Sequence, residues 1–425
     1  MRTVYAADWV LPVEAPPIRD GAVAVEDGRI VAVGPAAELG AGERLPEAVI
    51  LPGFVNAHAH LEYASYAGFG DGRSFVPWLG LHIERKRRLG LADMKAIARL
   101  GAHECLRSGI TTVGDLSFSG AAAAACAAAG LRAIVYLEVF GNDVSGLARF
   151  EELRGRAATS LSGRVRLGVS PHAPTTCSLA LYEACAGLGL PLATHLAEGA
   201  AERDWVERGT GEWSSLAGVL VEPWGRPAIP ALAEAGLLGP HVVAAHCVHV
   251  DEREIALLAE HGVAVAHCPR SNALLGCGVA PVAALRAAGV RLCLATDSPA
   301  STPSFDMFDE LRAALMAARG RERRPDALTA AEALELATLG GARALGLEDE
   351  VGSLAPGKRA DLAILSFGGS SFVPWEDPVT AVVLGGCPER IVATVVDGER
   401  VYENGESTCP ELIAAARRAR SRMLQ

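Results

Sequence analysis

A (β/α)8 barrel of the TIM type, class α/β, with a small β-sandwich built from both chain ends, is the fold this sequence predicts. Three observations lead to it. Eight short apolar runs alternate with Ala/Leu/Glu/Arg stretches of helical period through the middle of the chain, the pattern of βα units around a parallel sheet. Both ends carry short alternating strands with Asp-Gly turns instead, which is a hairpin signal. A doubly wound open sheet is expected to carry a Gly-rich phosphate turn after its first strand, and none stands there.

In chain order, residues 1–52 form the first part of the sandwich: RTVYAADWVL, then GAVAVEDGRIVAVG with its turn at Asp27-Gly28. Residues 53–346 form the barrel. Its strands are read at GFVNAHAH (53–60), TTVGD (111–115), RAIVYLEVFG (132–141), RLGVSPHAP (166–174), LATHLAE (192–198), VVAAHC (242–247), VAVAHCPRSN (263–272) and VRLCLATDS (290–298). Helical stretches such as DMKAIARLGAHECLRSG, DEREIALLAEHG and VAALRAAG separate them. Residues 347–425 complete the sandwich through GSLAPGKRADLAIL and RIVATVVDGERVYENGE and end in a helix.

Composition excludes several classes of function. Of 425 residues, 50% are hydrophobic, which excludes a disordered chain, and 39 Lys and Arg against 50 Asp and Glu leave a net charge of −11. A nucleic-acid binder must neutralise phosphates with clustered basic residues, so no nucleic-acid partner is expected. No apolar run reaches the ~18 residues that span a bilayer, and MRTVYAADWV lacks the layout of a secretory signal; a cytoplasmic protein without membrane contact is expected. The ten cysteines are scattered singly without a CxxC pair and read as small buried hydrophobes of a reducing compartment. Lysine occurs only at Lys86, Lys95 and Lys358.

Catalytic groups of such barrels project from the C-terminal ends of the strands. There this chain places His58 and His60, His172, His195 with Glu198 three residues on, His246, and Asp297. Period-two alternation puts both imidazoles of His58-Ala59-His60 on one face. Three neutral imidazoles (His58, His60, His195) and one carboxylate (Asp297) suit one divalent ion, Zn2+ first, with Fe2+ or Mn2+ as alternatives. Such an ion lowers the pKa of a water molecule to ~7. Asp297 then reaches both metal and water, His246 hydrogen-bonds the water or the oxyanion, and Glu198 carries a proton to a substrate nitrogen.

These motifs, HxH at 58–60, HLAE at 195–198, HC at 246–247, HCPRSN at 267–272 and ATDS at 295–298, with GSLAPGKRADLAIL at 352–365, resemble the amidohydrolase superfamily over nearly the whole chain. Two-metal members of that superfamily bridge their ions by a carboxylated lysine ending strand 4. Here strand 4 ends in SPHAP and no lysine lies between Lys95 and Lys358, so the resemblance is to the mononuclear deaminase and chlorohydrolase branch. It implies Glu198 as proton shuttle, His246 as the residue that positions the water, and a homodimer as the assembly often seen in relatives.

Within that branch HLEY, YLEVFG and SPHAPTTCS resemble the aminodeoxyfutalosine deaminases of menaquinone biosynthesis. The expected activity is hydrolysis of the 6-amino group of an adenine nucleoside derivative, aminodeoxyfutalosine first. S-adenosylhomocysteine, methylthioadenosine or adenosine deamination, guanine or pterin deamination and chlorotriazine hydrolysis are the alternatives, and a non-catalytic ligand-binding scaffold the distant one. Expected substrate contacts are His172, at a position resembling a ribose contact, then Glu62, Glu138, Trp78, Ser271 and Asn272. Glu62 can equally brace His60, and Asn272 can hold its loop. Trp78 belongs to an excursion, 62–90, that also carries Phe69, Phe75 and His82 and lies over the site as a lid or packs on the rim. No cluster of Arg falls in the pocket motifs to single out a carboxylate-bearing substrate; Arg73 and Arg270 are the nearest candidates, each with a solvated surface role as its alternative. His82, His103, His249 and His261 read as structural. SFVPW occurs at 74–78 and at 371–375, a repeat with no physical account.

Overall fold

The computed structural model describes residues 2–40, 42–404 and 410–425. Strands β1 (Arg2–Val10), β2 (Ile18–Glu26), β3 (Arg29–Pro35) and β4 (Glu43–Pro52) precede the barrel strands β5 (Phe54–Ala59), β6 (Ile110–Ser117), β7 (Arg132–Val139), β8 (Val165–Pro171), β9 (Leu192–Leu196), β10 (Val242–His246), β11 (Ala264–His267) and β12 (Arg291–Leu294). The chain then returns through β13 (Leu362–Ser366), β14 (Ile391–Val396) and β15 (Glu399–Glu403). Each of the eight apolar runs is one strand of an eight-stranded parallel sheet in sequence order, β5 to β12.

The sheet closes on itself at β5 and β12. Ala59 bridges Asp297 in parallel, and the Asp297 amide donates to the His58 carbonyl at 3.0 Å. Below that, the buried Asn56 amide is satisfied across the seam: Nδ2 donates to Thr296 Oγ1 at 2.7 Å and Oδ1 accepts from Thr296 N at 3.0 Å. Small and branched residues, among them Val55, Ala57, Ala193, Ala264 and Ala295, fill the interior. Asn56 pairs with Val113 but Ala59 with Asp115, so β5 holds one extra residue over this stretch. Such a bulge re-aims side chains, and here it turns His58 to the barrel mouth although Val55 and Ala57 occupy the interior below it.

The second sheet runs β15-β14-β13-β4-β1-β2-β3 and draws on both chain ends. Its alternation is visible in burial: Ala48, Ile50, Leu362 and Ile364 close the small domain's own core, whereas Val49, Leu51, Ala363 and Leu365 join the main core. Both Asp-Gly turns form as expected, with Asp27 and Gly28, then Asp397 and Gly398, all at positive φ, the type I′ geometry that matches strand twist. Arg132 on β7 bonds both Asp361 oxygens at 3.0 and 3.1 Å and Asp397 at 2.7 Å, locking the return of the chain to the barrel.

The 62–90 excursion contains a helix, Phe75–Lys86. The C-terminal helix, Pro410–Met423, lies on this segment: Ala419 and Met423 pack with Tyr66, Phe69 and Trp78, and Arg420 donates to the carbonyls of Ser65 and Ala67. Among the described residues no helix is long and apolar enough to cross a membrane. The cysteines described are unpaired and, apart from Cys387, buried; Cys409 lies outside the described residues.

Candidate active site

Strand ends β5, β9, β10 and β12 bring His58, His60, His195, His246 and Asp297 to one point, where their ligating atoms form two overlapping sets, His58–His195–His246 and His58–His60–Asp297, each within 4.8 Å. His195 Nδ1–H donates to the His172 carbonyl at 2.8 Å, which leaves the Nε2 lone pair facing His60 Nε2 at 3.4 Å. Asp297 Oδ1 lies 3.6 Å from His58 Nε2 and 3.5 Å from His60 Nε2. Both ring nitrogens of His58 and Nδ1 of His60 are buried without a hydrogen-bond partner. Buried polar groups are ordinarily satisfied, so orphaned imidazoles around one carboxylate fit a divalent cation.

Electrostatics support the same assignment. Burial drives the imidazoles of His58, His60 and His195 below their ordinary range, His60 to about 3, so all three offer lone pairs at neutral pH. Burial alone would raise Asp297, but the neighbouring imidazoles of His58, His60 and His246 outweigh it and hold the carboxyl well below the usual range. Its second oxygen, Oδ2, accepts from Ser271 Oγ and Ser301 Oγ, each at 2.7 Å. This leaves Oδ1 aimed at the imidazoles.

The backbone is strained here. Ala197 (φ +50°), His246 (+74°), Cys247 (+45°) and Asp297 (+58°) all occupy the left-handed region, which non-glycine residues hold only where the surroundings impose it. Glu202 imposes it after β9, its carboxylate accepting from the amides of Ala197 (2.9 Å) and Glu198 (3.0 Å). Glu198 Oε1 is thereby set 3.7 Å from His246 Nε2, and burial raises its carboxyl to about 7. His246 is aimed from behind, Nδ1–H donating to Asn272 Oδ1 at 3.0 Å.

A cavity of about 620 Å³ opens above, with His60, His195, Glu198, His246 and Asp297 on its floor and His172, Glu138 and Trp78 in its wall. The His172 ring sits 4.7 Å from that of His195, and Glu138 Oε1 is 4.0 Å from His172 Nε2.

Three expected substrate contacts are corrected. Glu62 does not line the cavity. Its carboxylate accepts from Ser117 Oγ (2.5 Å) and from the amides of Ser119 (2.8 Å) and Ala121 (3.1 Å), satisfying the start of helix Ala121–Ala129. Ser271 and Asn272 are fully buried and orient Asp297 and His246 rather than facing a ring. Arg270 is an ion-pair partner of Glu310, and neither it nor Arg73 lines the cavity.

Sequence reasoning missed the cations that do. Lys86, Arg87, Arg149 and Arg156 all lie in the cavity wall. Arg156 is paired with Glu152 at 2.7 Å. Arg149 donates to the Glu138 carbonyl at 3.1 Å, lies 4.4 Å from the Phe118 ring centroid and has no ion pair among the described residues. Lys86 is carried in by the helix of the excursion, and its rarity in the chain was the one available signal. Ser301, four residues beyond Asp297, was recognisable only from its hydroxyl type.

The amidohydrolase family profile matches residues 49–401, and a profile for an imidazolonepropionase-like composite domain of bacteria matches residues 21–41. A 5-methylthioadenosine/S-adenosylhomocysteine deaminase of Symbiobacterium thermophilum is 36% identical over 447 positions, covering 100% of this chain and 99% of the relative. The crystal structure of an adenosine deaminase of Xanthomonas campestris with bound zinc superposes with a TM-score of 0.89 at 31% identity, covering 99% of this chain and 98% of that one. The Helicobacter pylori aminofutalosine deaminase in complex with methylthio-coformycin follows at a TM-score of 0.81 and 23% identity, covering 94% of this chain and 100% of that one, a likeness of fold.

Proposed function

Since the chain belongs to the amidohydrolase family, we propose that it is a metal-dependent deaminase hydrolysing the 6-amino group of an adenine nucleoside with a carboxylate-bearing 5′-substituent, S-adenosylhomocysteine first. One observation carries this reading: a floor of imidazoles, Asp297 and Glu198 lies beneath a cavity whose wall holds Arg149, which donates to the carbonyls of Phe118 and Glu138 and has no ion pair among the described residues.

His58, His60, His195 and Asp297 would hold the ion, a donor set that suits Zn2+. A bound divalent ion supplies Lewis acidity that brings the pKa of a water molecule to ~7. Water adds to the amine-bearing ring carbon as Asp297 accepts one of its protons. Glu198, kept protonated near neutrality by burial, protonates the adjacent ring nitrogen so that charge does not build up on the purine. His246 hydrogen-bonds the attacking oxygen through Nε2 and orients it. Asp297 then returns its proton to the amino group, ammonia leaves, and the remaining hydroxyl proton restores Glu198. Water and the amine become ammonia and the 6-oxo nucleoside.

Arg149 can pair with a carboxylate at the far end of the substrate. A second substrate, aminodeoxyfutalosine with its aromatic carboxylate, is favoured by the rings beside that guanidinium, Phe118 at 4.4 Å and Phe140 at 5.6 Å. The test is ammonia release by zinc-loaded protein from S-adenosylhomocysteine, aminodeoxyfutalosine, methylthioadenosine, adenosine, guanine and a chlorotriazine. Either carboxylate-bearing nucleoside leading in kcat/KM supports the reading, and halide release without nucleoside deamination refutes it. In Arg149→Ala, KM for the carboxylate-bearing substrate is expected to rise roughly 10- to 100-fold, the loss of one charge-assisted contact, with adenosine nearly unaffected. An equal rise for adenosine would show that Arg149 holds the wall rather than the carboxylate.

A further inference from the structure

Next to the residues that orient Asp297 and His246, two opposite charges are buried together. Glu310, in the helix Met307–Glu322, is 0% exposed, and Arg270, in the helix Pro269–Leu274, is 9% exposed. Neither lines the cavity, so neither meets a substrate held there. Glu310 grips Arg270 twice: Oε1 accepts from Nε at 2.5 Å and Oε2 from the backbone amide at 3.3 Å. That amide stands in the first turn of a helix whose cap residue, Cys268, makes no side-chain hydrogen bond. A carboxylate from another helix thus satisfies a donor that the helix cannot satisfy itself. The far end of the guanidinium donates to Ser304, Nη1 to Oγ at 3.3 Å and Nη2 to the carbonyl at 2.8 Å. Asp309, 3.6 Å from Nη1, is a second acid beside it.

The pair therefore joins two segments that both orient Asp297. The helix Pro269–Leu274 supplies Ser271, which donates to Asp297 Oδ2, and Asn272, which accepts from His246 Nδ1. The loop between β12 and the helix Met307–Glu322 supplies Ser301, which donates to the same Oδ2, and Ser304, which Arg270 holds. A slip of helix against loop would part the two serine hydroxyls and turn Asp297, whose Oδ1 faces His58 and His60 at 3.6 and 3.5 Å. Stability is a poor reason for such a pair, since apolar residues of similar volume often do as well. Direction is a better one. A guanidinium presents its donors in a rigid fork, closed here on a carboxylate at one edge and on Ser304 at the other.

We propose that Arg270 and Glu310 are a positioning pair for the metal centre: they lock the helix Pro269–Leu274 to the loop after β12 and so hold Asp297 and His246 in their working orientation. The proposal rests on the metal-dependent deaminase reading above.

The experiment uses two full-length variants, Arg270→Lys and the double substitution Arg270→Met with Glu310→Met. The lysine keeps the charge and loses the fork, and the two methionines remove both charges together, so no lone charge is left buried to unfold the chain. Each is compared with the parent in melting temperature, zinc affinity by chelator competition, the visible spectrum of the cobalt-loaded protein, and kcat and KM for S-adenosylhomocysteine. Zinc should bind roughly 10- to 100-fold more weakly in both variants, the usual cost of losing an orienting contact behind a ligand, and the cobalt bands should shift as Asp297 turns. At saturating zinc, kcat should fall about 10-fold or more while KM stays within about 3-fold, because the pair does not line the cavity. A structural role alone would lower the melting temperature and leave the zinc affinity, cobalt spectrum and kcat of the folded protein unchanged, which overturns the proposal. A parent that binds no zinc overturns both the metal reading and the pair. A parent that binds zinc without turning over S-adenosylhomocysteine overturns the substrate, and affinity and spectrum then decide the pair.

Discussion

Glu198→Gln is expected to keep the fold and the metal and to lose roughly 10²- to 10⁴-fold in kcat, the usual worth of a positioned general acid–base. The carboxylate lies on the cavity floor 3.7 Å from His246, outside both groups of clustered ligand atoms, so metal content should not change. Burial raises the Glu198 carboxyl to about 7, so the acid form is present near neutrality, and the amide can neither deliver nor recover a proton. The backbone amide that Glu202 holds at Glu198 is untouched by the substitution, so the loss is chemical rather than conformational. Ammonia release per bound zinc measures it, and a variant within about 5-fold of the parent would remove Glu198 from proton transfer.

His195→Ala should abolish both metal retention and activity. Removing one of three imidazoles leaves too few ligands for a catalytic site, and it also removes the acceptor-side match that His172 O makes at 2.8 Å. Metal analysis after gel filtration should find less than about a tenth of the parent's zinc. Ser301→Ala probes the layer behind: Asp297 Oδ2 keeps its bond from Ser271 but loses the one from Ser301. Loss of such an orienting contact typically costs 10- to 100-fold in affinity or activity, so this variant should bind metal more weakly yet recover activity at high zinc. Full zinc and activity in His195→Ala would place the metal site elsewhere.

How much of this was readable beforehand varies by residue. The eight strands were legible because a parallel barrel buries both faces of every strand, so each run is apolar throughout. His58, His60, His195, His246 and Asp297 stood out against that background, since polar groups at the tips of apolar strands have few structural uses. Glu62 was misread for the opposite reason: it adjoins the HxH motif in sequence, yet its carboxylate turns to the amides of Ser119 and Ala121. Lys86, Arg149 and Arg156 carry no local signal, because a long basic side chain on a helix is usually a solvated one. Only the course of the 62–90 excursion, with the C-terminal helix laid upon it, brings Lys86 indoors.

The order of the strands, the turns at Asp27-Gly28 and Asp397-Gly398, and the gathering of imidazoles and Asp297 at the strand ends were determined by the sequence itself. They depend on periodicity, on φ preferences and on the rule that barrel chemistry gathers at one rim, all of which act within a few residues. The tertiary structure alone decided which side chains meet in and around the cavity: Ser271 and Asn272 behind Asp297 and His246, Glu202 beneath Glu198, and Lys86 within electrostatic reach of Glu138. Those partners lie 4 to 52 residues apart in the chain, and a hydrogen bond or an unmet charge depends on distances and burial that exist only once the chain has closed around it.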